Sequence, residues 1–113
     1  MQHDMTTGEQ GATPLALQAI AQERCIDATY NRTAVRLAPH ILYTRHGELY
    51  LDAVTIRRDG QPPREEKIGS FKVSGLGTLQ VTDERFTRSA LFDPALERYQ
   101  GETLFAVAEP VAA

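Results

Sequence analysis

Basic and aromatic side chains recur with period-two spacing on predicted strands in the middle of the chain. Arg36 and His40 share one face of a first strand, because successive strand side chains point to opposite faces. Tyr50 falls on the next strand and Lys72 on a later one. Rings beside cations suit single-stranded nucleic acid or a nucleotide, since bases stack on rings and phosphates pair with cations. The pattern predicts a site for an anionic ligand.

A structural interpretation of the same residues stays open. Tyr50 could pack under an N-terminal helix, and Arg36 could pair with Asp27 or Asp52. Neither side chain would then be free to contact a ligand.

The sequence offers little for catalysis. His3, His40 and His46 have no cysteine or histidine partner at metal-ligand spacing. Gly75-Leu76-Gly77 begins a G-x-G, but Gln80 stands where a dinucleotide fingerprint needs its third glycine. We therefore predict that the protein is not an enzyme and uses no cofactor.

The single cysteine, Cys25, excludes an internal disulfide and fits a reducing compartment. Its thiol could be reactive, but a small buried hydrophobe is the favoured interpretation. Residues 1–12 lack the basic start and apolar middle of a secretory signal. No apolar run approaches the roughly 20 residues of a membrane-spanning helix. We predict a cytoplasmic protein without a membrane partner.

Charge is unevenly placed along the chain. Eleven of the twelve Lys and Arg lie between Arg24 and Arg88, together with eight of the fifteen Asp and Glu. The middle is therefore basic and the flanks are acidic. This distribution favours an anionic ligand, although ordinary scatter on a solvated surface would also produce it. It is too weak for a free-standing duplex-DNA binder.

The candidate residues lie on a predicted hairpin. Its arms are Arg36–Tyr43 and Glu48–Ile56, joined by a polar turn at Thr44–Gly47, where Gly47 can adopt positive φ. Alternation on the second arm places one set of side chains on one face (Leu49, Leu51, Ala53) and another set on the other (Tyr50, Asp52, Val54). If the first set faces the core, Tyr50 points outward or into a groove.

Other elements are predicted around the hairpin. Thr13-Pro14 is typical of a helix start, and an apolar stripe follows it (Leu17, Ile20, Ala21, Cys25). Strands are expected at residues 26–30, at residues 67–73 with Phe71 and Val73 inward, and around Leu79 and Val81. Ser74–Gly77 predicts a bulge or bend. Short strands bent by glycines indicate a small curved barrel.

The C-terminal part carries weaker signals. Asp93-Pro94 predicts a second helix start and Gly101 its end, with Leu96 and Tyr99 as the anchoring side chains. Residues 103–107 could add an edge strand or pack across the barrel. Residues 109–113 are expected to fray.

The hairpin resembles the central part of a WYL domain, a family named for a Trp-Tyr-Leu tripeptide. Arg36-Leu-Ala-Pro-His40, Gly47 and Leu49-Tyr50-Leu51 carry the resemblance, with leucine in place of the tryptophan. Tyr30 is similar to the family's first-strand tyrosine, and Phe71-Lys72-Val73 to its later strand.

The resemblance extends from about Ile20 to about Phe86. Where the family usually has Asp-Arg-Ile, this chain has Ser74-Gly75-Leu76, so a basic residue often tied to ligand binding is missing. The family implies a mostly β fold with flanking helices, an SH3/Sm-like small barrel with an N-terminal amphipathic helix. We expect a tail at 1–12, this domain at 13–88 and a helix-and-strand extension at 89–113.

The family also implies a function. WYL domains are ligand-sensing modules of bacterial transcription regulators, and some recognise single-stranded nucleic acid or nucleotide-like molecules. The expected ligand-binding residues are Tyr30, Arg36, His40, Tyr50 and Lys72. In those regulators the module is joined to a helix-turn-helix domain, for which residues 1–29 are too short. We therefore expect a free-standing module that acts through a regulator partner, as a homo-oligomer or as a ligand receptor.

A second hypothesis involves no ligand. An exposed barrel edge or the C-terminal part would pair with another chain, as edge strands do. The protein would then be a protein-interaction or oligomerisation module.

Overall fold

The computed structural model describes residues 9–100 and 102–109. In this range the chain is mostly β, as predicted, with one α-helix and six strands. The elements are α1 (Glu9–Gln22), β1 (Arg24–Tyr30), β2 (Thr33–Arg45), β3 (Glu48–Arg58), β4 (Ile68–Lys72), β5 (Leu76–Arg85) and β6 (Glu102–Ala106). His3 and residues 110–113, expected to fray, lie outside the described part, as does the proposed helix end at Gly101.

The strands form one antiparallel sheet in the order β4-β3-β2-β1-β5. β6 pairs with β2 over Ile41–Thr44, beyond the last pairing of β1. Among the described residues no ladder joins β4 to β5, so the sheet is not closed. The predicted SH3/Sm-like barrel is therefore not confirmed.

The central hairpin is confirmed, with a tighter turn than expected. Arg45 pairs with Glu48, which leaves only His46 and Gly47 in the loop. Both residues have positive φ, 53° and 78°. A two-residue turn of this kind matches the right-handed twist of the flanking strands, so the register of β2 and β3 is set locally.

The helix begins four residues earlier than predicted. α1 starts at Glu9, so Pro14 lies inside it and residues 9–12 are helical, not part of a tail. Its buried side consists of small residues and one isoleucine (Ala12, Ala16, Ala19, Ile20), whereas Ala21 is exposed. Thr13-Pro14 does not begin the helix, because packing of Ala12 on the sheet stabilises the helical turn that precedes it.

Both faces of the sheet are covered. α1 packs on one face, over a core that includes Leu51 and Ala53. The other face is covered by the segment of residues 86–100, here called the covering segment. Asp52 and Val54 lie on this second face and are as buried as their neighbours. Alternation assigned the faces correctly, but it did not predict that the covering segment buries Asp52 on the second face.

Two predicted elements take the form of 3-10 turns. The bend predicted at Ser74–Gly77 is present as a 3-10 turn at Val73–Gly75 that connects β4 to β5, and a register irregularity follows between Gly77 and Gln80. No α-helix follows Asp93-Pro94 in the described part of the covering segment, where only a 3-10 turn at Glu97–Tyr99 forms. The Asp93 carboxylate accepts the Ala95 amide at 2.9 Å. Leu96 then turns extended and ends the local helical path.

The edge-strand interpretation of residues 103–107 is confirmed by β6. The other edge of β6 has no strand partner among the described residues. Leu104 and Phe105 on this strand are large apolar side chains with 45% and 39% of their surface exposed.

Candidate functional site

Tyr50 and Lys72 form an accessible pair on the sheet. The β3–β4 register places them directly opposite each other, so their side chains share a face. Tyr50 is half-buried, and its ring stacks on Tyr43 with centroids 5.9 Å apart. The Lys72 ammonium lies 3.2 Å from Glu48 with 44% of the side chain exposed. The hydrogen bond that Lys72 donates to Glu48 raises the pKa of Lys72, which keeps it charged.

Tyr30 lies near the same end of β4, where Lys72 ends the strand, but on the opposite face of the sheet. Its ring makes an edge contact with Phe71, with centroids 5.0 Å apart. The Lys72 ammonium is near enough to both Tyr30 and Tyr50 for the two phenols to raise its pKa further. Three of the five predicted ligand residues thus surround the end of β4.

Arg36 lies elsewhere, in a cluster of four charges. Its guanidinium donates two hydrogen bonds to Asp27, at 2.6 and 2.7 Å, and one to Glu84 at 2.8 Å. Arg57 also pairs with Glu84. The structural interpretation that pairs Arg36 with Asp27 is therefore confirmed. Hydrogen bonds from Arg36 lower the pKa of both carboxyl groups, and two carboxylates balance two cations.

The register separates Arg36 from Tyr50. Arg36 pairs across with Arg57, and Tyr43, seven residues further along β2, pairs with Tyr50. At about 3.3 Å per residue the two positions are roughly 20 Å apart along the strand. A single small ligand cannot contact both.

His40 is an internal side chain. It is fully buried between Phe86 and Phe92, with ring centroids 5.1 and 5.3 Å from its own. Nε2 accepts the Ser89 amide at 2.9 Å, so the proton sits on Nδ1, which donates to the Ala38 carbonyl at 2.8 Å. Nε2 thus joins the covering segment to β2 and Nδ1 bonds within β2, so no ring nitrogen is available to a ligand.

Sequence reasoning missed a cluster of hydroxyl groups around Asp52. This carboxylate is fully buried, and it accepts the Tyr43 hydroxyl at 2.8 Å and the Tyr99 hydroxyl at 2.6 Å. Burial, reinforced for Tyr99 by the carboxylate, raises the pKa of both phenols, so they remain donors. The sequence feature that could have revealed this cluster is the position of Asp52 between two core residues, Leu51 and Ala53.

Cys25 behaves as the buried hydrophobe that the sequence favoured. It is fully buried in a small cluster with Ala38 and Val54. Burial, with a smaller contribution from Glu84, raises the pKa of the thiol to about 11. The nucleophilic thiolate is therefore scarce at neutral pH.

Metal and membrane sites were searched over the same part of the chain. No three His, Cys, Asp or Glu side chains among residues 9–100 and 102–109 are grouped so that they could hold a metal ion. No helix in these ranges has the length and apolar character needed to cross a membrane.

Comparison with protein-family models, with curated proteins and with solved structures finds no match to this chain.

We expect His40 to make the fold sensitive to mild acid. Burial lowers the pKa of its imidazole below the ordinary value of 6.5, and the nearby charge of Arg88 lowers it further. The Ala38 carbonyl, Glu66 and Glu23 raise the pKa, but their effects are weaker. The unfolded chain then binds a proton that the folded chain does not, so stability is full above pH 6.5 and falls as the pH drops below it. Urea unfolding at pH 7.5 and pH 5 measures this loss.

His40→Gln is the control for this titration. A glutamine can accept from Ser89 and donate to Ala38 but does not titrate, so its pH dependence between 7.5 and 5 should be smaller. Equal pH dependence in both proteins would contradict the prediction.

We expect Tyr99→Phe to destabilise the protein by about 1–3 kcal/mol, because it removes one hydroxyl donor from a buried carboxylate. Tyr50→Phe is a matched control, since its hydroxyl makes no hydrogen bond among residues 9–100 and 102–109, and should change stability by less than about 0.5 kcal/mol. Denaturant unfolding measures both. Equal losses of stability in the two variants would show that the effect of Tyr99→Phe does not come from its hydrogen bond to Asp52.

Proposed function

We propose that this protein is a non-enzymatic regulatory module resembling WYL domains, which binds a nucleotide-like or single-stranded nucleic acid ligand. The observation that carries the proposal is the Tyr50–Lys72 pair, an aromatic ring and a cation directly opposite each other on an accessible face. A base can stack on the ring while the ammonium exchanges Glu48 for a phosphate.

The neighbouring turn adds charge to this site. Arg45 and His46 are exposed at the end of the β2–β3 hairpin, two or three residues from the Tyr43–Tyr50 pairing. An approaching phosphate chain would meet them next to Lys72. We propose Tyr50 and Lys72 as the main contacts, with Tyr30 at the flank. Arg36 and His40 are not part of the proposed site. Arg36 lies roughly 20 Å away along the strand and is neutralised by Asp27 and Glu84, and His40 is buried.

Two features of the fold support an SH3/Sm-like arrangement of the strands. β1 lies between β2 and β5 in the sheet, and a 3-10 turn joins β4 to β5. This connectivity is compatible with an SH3/Sm-like arrangement, which we propose as the fold type, in a cytoplasmic protein. Ser74 and Gly75 lie exposed in that turn, where the family's basic residue would be expected. A ligand there would depend on Lys72 instead.

We expect a labelled single-stranded DNA oligonucleotide to bind in a salt-sensitive way, measured by fluorescence polarisation at two salt concentrations. Tyr50→Leu should lose about 1–3 kcal/mol of binding free energy, the usual contribution of one stacked base. Lys72→Gln should weaken binding and reduce the salt dependence.

Arg64→Gln is the matched control for Lys72→Gln. Arg64 is exposed and, among the described residues, has no ion pair, so its loss changes the net charge equally without touching the site. Binding that is unaffected by salt, or that falls equally in both variants, would rule out a site at Tyr50 and Lys72.

A second candidate function is protein interaction, and β6 favours it. The strand has an edge with no strand partner in the described structure and carries two exposed large apolar side chains. Unpaired amide and carbonyl groups on such an edge can pair with a strand from another chain.

If this candidate is correct, we expect the protein to sediment as a dimer or larger species in analytical ultracentrifugation. Leu104→Lys should convert it to a monomer, because a charge on the edge disfavours pairing. Leu91→Lys, at an exposed leucine outside β6, should leave the assembly intact. A wild-type monomer at all concentrations would dismiss homo-oligomerisation.

A further inference from the structure

A groove of about 320 Å³ opens on the surface beside the Asp52 cluster. It lies between the start of β4 and the covering segment. Its apolar lining includes Ile68, Leu91 and Leu96. Leu91 and Leu96 are 54% and 39% exposed, so two large apolar side chains stand at its wall in contact with water. A ligand that covered them would gain the free energy of removing that surface from water.

Arg98 places a cation in this apolar groove. Within the described residues its polar contacts all use one nitrogen, Nη1, at 3.5 Å from Asp52 and 3.3 Å from Ser70. Asp52 already receives two shorter hydrogen bonds from tyrosine hydroxyls. A guanidinium has five N–H donors, so Nε and Nη2 remain available to an anion.

The other charges around the groove nearly balance one another. Lys67 also lines it, and the pair that its ammonium forms with Glu65 is long, at 3.7 Å, with both side chains more than 70% exposed. Asp93 is the one carboxylate in the lining, and it accepts the Ala95 amide. Lys67 and Arg98 are matched by Asp93 and by the buried Asp52 that pairs with Arg98, so an anion would bind here through the free N–H donors of Arg98.

We propose that this groove binds a small amphipathic anion, a carboxylate or sulfonate with an apolar body. The anionic group contacts the free donors of Arg98, and the apolar body lies on Leu91 and Leu96. A base-stacking ligand fits less well, because Tyr99, the aromatic residue of the lining, is buried. The inference does not rest on the proposed function, since Ile68 and Lys72 occupy opposite ends of β4.

The probe for the test is 8-anilinonaphthalene-1-sulfonate, an apolar anion whose fluorescence rises on transfer out of water. We expect the folded wild-type protein to bind it, sodium octanoate to displace it, and 1-octanol, which has the same chain without the charge, to displace it far less. Arg98→Gln should weaken probe binding roughly tenfold, as expected for loss of one charge-assisted hydrogen bond.

Arg88→Gln is the matched control, because Arg88 also lies over an aromatic ring, Phe92, at 5.2 Å, but outside this groove. Leu96→Asn tests the apolar wall independently of Asp52, and circular dichroism verifies that each variant is folded. The proposal is overturned if the wild type does not bind the probe or if octanol competes as well as octanoate. It is also overturned if Arg98→Gln and Leu96→Asn bind like wild type, or if Arg88→Gln loses as much as Arg98→Gln.

Discussion

The burial of Asp52 is the constraint on which the rest of the structure depends. An ionised carboxylate taken out of water is costly unless it is hydrogen-bonded. Tyr43, on the neighbouring strand, supplies one donor. The second comes from Tyr99, 47 residues later. Because the carboxylate needs that distant hydroxyl, the covering segment must cross the sheet.

The covering segment decides which surfaces remain accessible. Its Ser89 amide donates to His40 and its aromatic rings enclose the same imidazole, so the middle of β2 is closed to solvent. At one end of β4 the Tyr50–Lys72 pair stays open, and at the other end Arg98 enters a groove with exposed leucines. Both proposed ligand sites therefore lie at the ends of this strand.

Much of the fold could be predicted from local pattern. Gly47, together with alternating residues on both sides, predicted the central hairpin, because turn geometry and strand period are local properties. The inward position of Phe71 also followed from alternation. The candidate site was predicted less well. Period two assigns a face to Arg36, but bulges and register set the distance to Tyr50, and those arise from pairing between strands.

The sequence by itself determined the β-rich class, the existence of the central hairpin and the buried character of Cys25, since each depends on residues adjacent in the chain or on apolarity alone. Only the tertiary structure decided that Arg36 is neutralised, that His40 is internal and that Asp52 is buried. Their partners Glu84, Ser89 and Tyr99 lie 47 to 49 residues away. Contacts over such separations leave no periodic trace in the sequence, because they form when the covering segment and β5 pack against the hairpin.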